Sequence, residues 1–227
     1  MRFFLFVIFL FHYNQSSFAQ ELKVQLDAVY NMDPELYNGQ IFTNVYRRDI
    51  DGNQFFQEKN FKKNDLTLSK KSYEDQYINY DVYSQKLLLT YLDENNSQKI
   101  IEIPLEHVRS FYIEDNYFEV IQGPDEDYKI YQTFNFNNNK ILIYWMKNLI
   151  LNSGSVYYRY RFTKLDKQMW LLLDGNYRKV NNNKSFLNSF PDDKKLAIKN
   201  WLKKNKLKIQ KADSSELELF SNYLKEL

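Results

Sequence analysis

The chain has 227 residues, and its 31 Lys and Arg against 29 Asp and Glu give a formal net charge of +2 at pH 7. A total so close to zero argues against a nucleic-acid-binding domain, whose basic surface normally makes it strongly positive. Hydrophobic residues, at 44%, suffice for a packed core. The absence of cysteine excludes disulfides, thiolate metal ligands and cysteine nucleophiles.

The first 19 residues have the pattern of a secretory signal peptide. Arg2 precedes the apolar run Phe3–Phe11, and the small residues Ser17 and Ala19 precede a predicted cleavage before Gln20. This apolar run is too short to span a bilayer, which takes roughly 20 residues. We therefore predict an exported chain with a cleaved signal peptide; an uncleaved anchor is the alternative.

Residues 20–181 predict a mainly β, antiparallel domain. Short runs of β-branched and aromatic residues alternate apolar with polar positions, as in LTLSK from Leu66. The runs ILIYWM and MWLLL, at 141–146 and 169–173, are apolar on both sides and are predicted to lie inside the sheet. Short connections favour a meander, folded either as a sandwich or as a curled half-barrel sheet.

Three Asn-Gly or Asp-Gly pairs lie between apolar runs. They are Asn38-Gly39, Asp51-Gly52 and Asp174-Gly175. Such pairs tolerate the positive φ that two-residue hairpin turns require. Each pair therefore predicts a β-hairpin.

Residues 182–227 predict two or three helices packed on the sheet. The segment SFLNSF from Ser185 is a short helical turn, and a longer helix is expected to start at Pro191, followed by two acids. The last helix is expected to be capped by Ser214 or Ser215.

Lysines crowd this helical segment, with nine lysines against two aspartates in residues 184–211. On a helical wheel Ile198, Trp201 and Leu202 share one arc. Beside that arc lies a stripe of three lysines: Lys195, Lys199 and Lys203. One interpretation is a solvated face of a docked helix. The other is a contact with a phosphate-rich partner, such as anionic lipid or lipopolysaccharide.

A second candidate binding surface comes from the run VYYRYRFTK, from Val156. Read as a half-buried strand, it turns one set of side chains inward and another outward. The outward set is Tyr157, Arg159 and Arg161. Tyr and Arg often anchor protein interfaces. The alternative is that the aromatic residues, 18% of the chain, serve cross-strand packing.

The sequence offers few groups for catalysis. After signal cleavage His107 is the only histidine, and it is interpreted as structural; nucleophile-elbow, zinc-protease and phosphate-loop motifs are absent. We expect no cofactor, no metal and no nucleic-acid partner. The leading hypothesis is a non-enzymatic binding or assembly protein.

Two alternatives to that hypothesis stay open. One is a periplasmic carrier that holds a lipid or other apolar ligand in an open cavity under the helices. The other is a hydrolase with two converging carboxyl groups, at least one of raised pKa.

Several segments resemble a group of exported proteins from Bacteroidetes. They are SFAQE at the predicted cleavage site, the YNG turn, INYDVYSQKLLL, IPLEHVRSF, YRYRFTKLDKQMWLL and NKSFLNSFPDDKKLAIKNWLKKNKLK. The resemblance runs over most of residues 20–227 and carries no catalytic motif, so it transfers no functional residue. It implies the envelope of a bacterium with two membranes. We therefore expect residence in the periplasm or at the inner face of the outer membrane, with an envelope or outer-membrane protein as partner; the oligomeric state stays open.

Overall fold

The computed structural model describes residues 33, 35–43, 49–69, 71–93 and 95–227. The predicted signal peptide, residues 1–19, lies outside these residues. By internal contacts the chain divides into two units, Met1–Gly39 and Gln40–Leu227. In the first unit, the described residues include a turn in which the amides of Leu36 and Tyr37 donate to the carbonyl of Asp33. All described strands and helices lie in the second unit.

The second unit is built mainly of β-strands. They are β1 (Gln40–Ile41), β2 (Ile50–Asp51), β3 (Lys62–Leu68), β4 (Lys71–Asp81), β5 (Lys86–Leu92), β6 (Gln98–Ile103), β7 (Val108–Ile113), β8 (Asn116–Gln122), β9 (Tyr128–Phe136), β10 (Asn139–Met146), β11 (Leu149–Leu151), β12 (Tyr160–Phe162), β13 (Asp166–Leu173) and β14 (Asn176–Val180). Three helices follow: α1 (Asn183–Leu187), α2 (Asp192–Lys204) and α3 (Ser214–Lys225). The mainly β prediction with C-terminal helices is confirmed.

Eleven strands form one antiparallel sheet, in the order β1-β6-β5-β4-β3-β7-β8-β9-β10-β13-β14. It consists of two meanders joined where β3 pairs with β7. The predicted interior strands, now β10 and β13, both have neighbours on each side. Strands β1 and β14 are the two edges, so the described sheet is open and is not a closed barrel.

The sheet is strongly curled. The rings of Tyr80 on β4 and Phe118 on β8 lie 5.5 Å apart, although β3 and β7 separate their strands. In a flat sheet, strands three positions apart would be roughly 14 Å from each other. Phe56, from the segment before β3, lies between the converging strands and contacts both Phe118 (5.1 Å) and Trp145 (5.4 Å). Of the two predicted arrangements, the curled sheet is the one observed.

The helices cover the concave face of β9, β10, β13 and β14. Helix α3 places Phe220 at the centre, fully buried, where its ring lies 5.4 Å from Phe186 of α1 and 4.9 Å from Trp201 of α2. The remaining buried core side chains from the helices and the two loops that connect them are Phe190, Ile198, Leu202, Leu207, Ile209, Ala212, Leu217 and Leu224. Side chains therefore fill most of the space between these helices and the sheet, and a cavity of about 130 Å³ remains beside Phe136, Leu173 and Ile198.

A buried polar network fixes helix α3 to the sheet. The Gln132 side chain, on β9, accepts a hydrogen bond from Trp145 Nε1 (2.9 Å) and donates to Asn116 Oδ1 (3.0 Å) and Ser214 Oγ (2.9 Å). Ser214 Oγ in turn donates to Asn116 Oδ1 (2.8 Å). Because an unpaired buried polar group costs about 1–3 kcal/mol, this network favours a single position for the start of α3.

The N-terminal cap of helix α3 differs from the sequence prediction. Asp213 caps α3, accepting from the amide of Glu216 while Glu216 accepts from the amide of Asp213. The prediction of Ser214 or Ser215 as the cap is therefore wrong, because the Ser214 hydroxyl is used in the network.

Among the described residues, no helix has the length and apolar character needed to cross a membrane.

Only one of the three predicted hairpin turns is observed. Asp174 and Gly175 have φ of +51° and +76° and join β13 to β14. Asp51 instead ends β2, which pairs in parallel with β12, and Asn38-Gly39 precedes β1, which pairs with β6. These two hairpin predictions are wrong because long-range pairing overrides the local turn signal.

We predict that the packing of α3 dominates stability. Phe220→Ala should lower the free energy of unfolding by about 3–5 kcal/mol, because it leaves a cavity among buried rings. Its chain neighbour Leu219 is 60% exposed, so Leu219→Ala should change that free energy by no more than about 0.5 kcal/mol. Urea unfolding followed by tryptophan fluorescence measures both, and equal effects would contradict this packing.

Candidate functional site

The first candidate surface is a hairpin that projects from the small three-stranded sheet β11-β12-β2. We call residues 149–162 the aromatic hairpin. At its tip Val156 is 98% exposed and Tyr157 is 87% exposed. Leu151 and Tyr158 are also exposed. Four exposed apolar or aromatic side chains on one hairpin make it a candidate interaction surface.

The tip is a turn and not part of a long strand. Strand β12 contains only Tyr160–Phe162, and Ser155 Oγ accepts from the amides of Tyr157 (3.2 Å) and Tyr158 (3.0 Å). The predicted half-buried strand from Val156 is therefore observed only at Tyr160–Phe162, and Tyr158 faces solvent instead of the core. The reason is the serine, whose side chain offers these amides a local partner in place of a neighbouring strand.

The predicted outward residues are nevertheless exposed together on the aromatic hairpin. Tyr157, Arg159 and Arg161 are all exposed. The Arg159 guanidinium lies 5.6 Å from the centre of the Tyr160 ring. Within the described ranges, neither arginine forms an ion pair with a carboxylate. The hairpin thus combines exposed aromatic rings with two arginines that no described carboxylate neutralises.

The base of the hairpin is anchored. Asn148 and Thr163 exchange two hydrogen bonds, from the Asn148 amide to Thr163 Oγ1 (2.9 Å) and from the Thr163 amide to the Asn148 carbonyl (2.8 Å). The ring of Phe162 packs edge-on against Tyr83, with centroids 5.4 Å apart. An anchored base lowers the entropy that ordering the tip on a partner would cost.

The second candidate surface is an open groove of about 640 Å³ formed by α1, α2 and the loop that follows α2. We call it the lysine groove. Its lining is Asn183, Lys184, Leu187, Asn188, Lys199, Leu202, Lys203, Lys206, Leu207 and Lys208. Its lining contains five lysines, three leucines and two asparagines, and no acidic residue. Its surface is therefore apolar with a rim of positive charge.

The groove divides the predicted lysine stripe. Lys199 and Lys203 line it, whereas Lys195 Nζ lies 2.7 Å from Asp192 Oδ1 at the start of the same helix. Two of the three predicted lysines therefore line the same groove. Lys184, Lys206 and Lys208 were missed because they come from other elements, which a wheel for one helix does not include.

The backbone at the end of α2 forms a Schellman cap, which positions Leu202 and Leu207 in the lysine groove. The Leu207 amide donates to the Leu202 carbonyl (2.9 Å) and the Lys206 amide to the Lys203 carbonyl (3.2 Å), which is the Schellman arrangement. It requires a left-handed residue, and Lys206 has φ of +52°. Asn183 then ties α1 to this loop, donating to the Leu207 carbonyl (2.7 Å) and accepting from the Ile209 amide (2.9 Å).

The carboxyl groups give little support to the hydrolase alternative. Asp81 is fully buried, and its Oδ1 accepts from the amides of Tyr83 (3.0 Å) and Ser84 (2.9 Å). Burial raises the pKa of Asp81, while those hydrogen bonds and the charge of Lys86 act in the opposite direction. The other charged group coupled to Asp81 is Lys147, a second cation and not a second acid.

The described part of the chain contains no cluster of three or more His, Asp or Glu side chains that could hold a metal ion. Comparison of the chain with protein-family models, with curated proteins and with solved structures finds no match. The arguments for function therefore rest on the aromatic hairpin and the lysine groove themselves.

We predict that Lys206 strains the backbone at the groove. Lys206→Gly should raise the free energy of unfolding by about 1 kcal/mol, because glycine adopts a left-handed conformation without a steric cost. The control Lys204→Gly removes the same charge inside α2 and should lower it by about 1 kcal/mol. Thermal and urea unfolding of both variants measure this, and a loss of stability in Lys206→Gly would contradict it.

We also predict a pH dependence from Asp81. The pKa of Asp81 is about 3.9 in the unfolded chain and is higher in the folded chain. The free energy of unfolding therefore falls as the pH rises between these two pKa values. Asp81→Asn stays neutral and keeps an oxygen for the two amides. The variant should therefore be more stable than the parent at about pH 7, and this advantage should shrink towards about pH 3.5. Urea unfolding across this range tests it, with Asp127→Asn at an exposed carboxylate as control; an advantage that grows on acidification would contradict it.

Proposed function

We propose that this chain is a non-enzymatic binding protein of the bacterial envelope, exported to the periplasm or the inner face of the outer membrane. It assembles with an envelope protein through the aromatic hairpin. The observation that carries the proposal is the near-complete exposure of Val156 and Tyr157 on a hairpin with an anchored base. A side chain of this kind gains free energy only when a partner covers it.

The chemistry of the tip indicates what the partner offers. Tyr and Arg are the residue types that most often dominate interface energetics. Arg159 and Arg161 have no acidic partner among the described residues, so the complementary surface carries carboxylates around an apolar pocket that receives Tyr157. An outer-membrane or periplasmic protein with such a pocket is the expected partner.

The packing of the core favours binding at the aromatic hairpin over binding or catalysis in the interior of the protein. A carrier of the kind weighed in the sequence analysis needs an open apolar cavity under the helices. The apolar cavity beside Ile198 has only about 130 Å³, below the roughly 300–1,000 Å³ of ligand pockets. The larger cavity at the start of α3, about 450 Å³, is lined mainly by polar residues such as Gln132 and Glu218. A glycoside hydrolase with two carboxyl groups needs them about 5–9.5 Å apart, whereas the charged groups that interact with Asp81 are the cations Lys86 and Lys147. Both alternatives are therefore less well supported than surface binding.

A photo-crosslinking amino acid at position 157 tests the proposal. In intact cells it should join the chain to one envelope protein, because Tyr157 is expected to enter the partner's pocket. The double change Val156→Ser and Arg159→Glu, combined with that probe, should lower the crosslinked product about tenfold or more, as expected for interface anchors. Mass spectrometry of the product identifies the partner.

The matched control places the same probe at Tyr128, which is 62% exposed at the start of β9. It should give no comparable product. The proposal is overturned if the probe at position 157 yields no discrete protein product, or if the product persists unchanged in the double variant.

A further inference from the structure

The five lysines of the lysine groove carry positive charges that no described carboxylate neutralises. All five of its lysines are exposed, and among the described residues none of them forms an ion pair: Lys184, Lys199, Lys203, Lys206 and Lys208. Elsewhere on the same helix a lysine is paired, since Lys195 contacts Asp192. Other described lysines without a carboxylate partner, such as Lys194 and Lys204, are outside the lining of the groove, but five such lysines line it together.

The end of α2 does not cancel this charge. A helix carboxyl end carries roughly half a negative charge from its unpaired carbonyls. Two of those carbonyls, of Leu202 and Lys203, already accept the hydrogen bonds of the Schellman arrangement. Five whole positive charges thus exceed the opposing partial charge by about an order of magnitude.

Apolar surface accompanies these charges. Leu187, Leu202 and Leu207 form the floor of the groove. Leu196 is 65% exposed and precedes Lys199 and Lys203 by three and seven residues, which places it on the same face of α2. A face that combines exposed leucine with lysines is the pattern of protein segments that lie at a membrane surface.

Lys206 adds a further indication. Its left-handed backbone conformation favours glycine, yet the chain has a lysine there. The Schellman arrangement enforces this conformation and places the residue in the lining of the groove. Here the strained position is one of the five rim charges.

We infer that the lysine groove docks this protein on the surface of an anionic lipid bilayer. The lysines contact the phosphate headgroups, and Leu196 enters the boundary between headgroups and acyl chains. The groove is open along its length, which suits a surface better than an enclosed small molecule. This inference involves residues other than those of the aromatic hairpin and does not depend on the proposed protein partner.

Vesicle co-sedimentation of the full chain tests the inference. The chain should bind vesicles that contain phosphatidylglycerol, bind pure phosphatidylcholine vesicles more weakly, and lose the difference as salt screens the charges. Lys199→Gln with Lys203→Gln should weaken binding to the anionic vesicles about 25-fold, since each lysine near such a surface contributes roughly fivefold, or about 1 kcal/mol.

The control is Lys59→Gln with Lys164→Gln, which removes two exposed lysines outside the groove. It should change binding less than about twofold. The apolar segment Phe3–Phe11 is common to all variants, so a difference between them reports the groove. Leu196→Ser, at an exposed position, should weaken binding without lowering the thermal midpoint.

Three results would overturn the inference. The first is equal binding of the groove variant and the lysine control. The second is equal affinity of the parent chain for anionic and neutral vesicles. The third is saturation of the groove by an oligoglutamate peptide without any binding to anionic vesicles, which would assign the lysines to an acidic protein segment instead.

Discussion

The whole arrangement depends on how the concave face of the curled sheet is covered. Phe56 packs between strands β4, β8 and β10, and helices α1, α2 and α3 fill the face of the neighbouring strands with Phe186, Trp201 and Phe220. A curled sheet with one apolar face must bury it, because exposed apolar area costs about 25 cal/mol per Å². The chain's own side chains fill most of this space and leave only about 130 Å³ beside Ile198, which favours binding at the outer surfaces.

The polar network around Gln132 determines where helix α3 packs on the sheet. Apolar contacts alone tolerate small shifts of a helix, whereas a hydrogen-bonded amide, indole and hydroxyl have one satisfactory arrangement. By holding Ser214 at the start of α3, the network also positions Phe220, which is six residues further along the helix. Phe220 in turn packs against Trp201 of α2. Helix α2 in turn carries Lys199 and Lys203. The position of the lysine groove therefore follows from an interaction buried in the sheet.

The sequence predicted those features that depend on local pattern. Alternating apolar residues identified the strands, and the wheel correctly placed Ile198 and Leu202 in the core. It could not predict the pairing of β3 with β7, since strands distant in sequence pair according to the completed core. Strand β12 was predicted too long because Ser155 holds the preceding turn. Three of the five lysines in the groove were not predicted because the groove is built from three elements. Such features depend on tertiary structure, which periodicity does not encode.

The central claim is that this protein binds through its surface and keeps a filled interior. Native mass spectrometry of the chain purified from its own envelope tests this directly, using the Lys199→Gln and Lys203→Gln variant to remove the contribution of the groove. The account predicts the mass of the polypeptide alone once any protein partner is dissociated. A stoichiometric apolar molecule that stays bound in the variant, and is released only on unfolding, would contradict it.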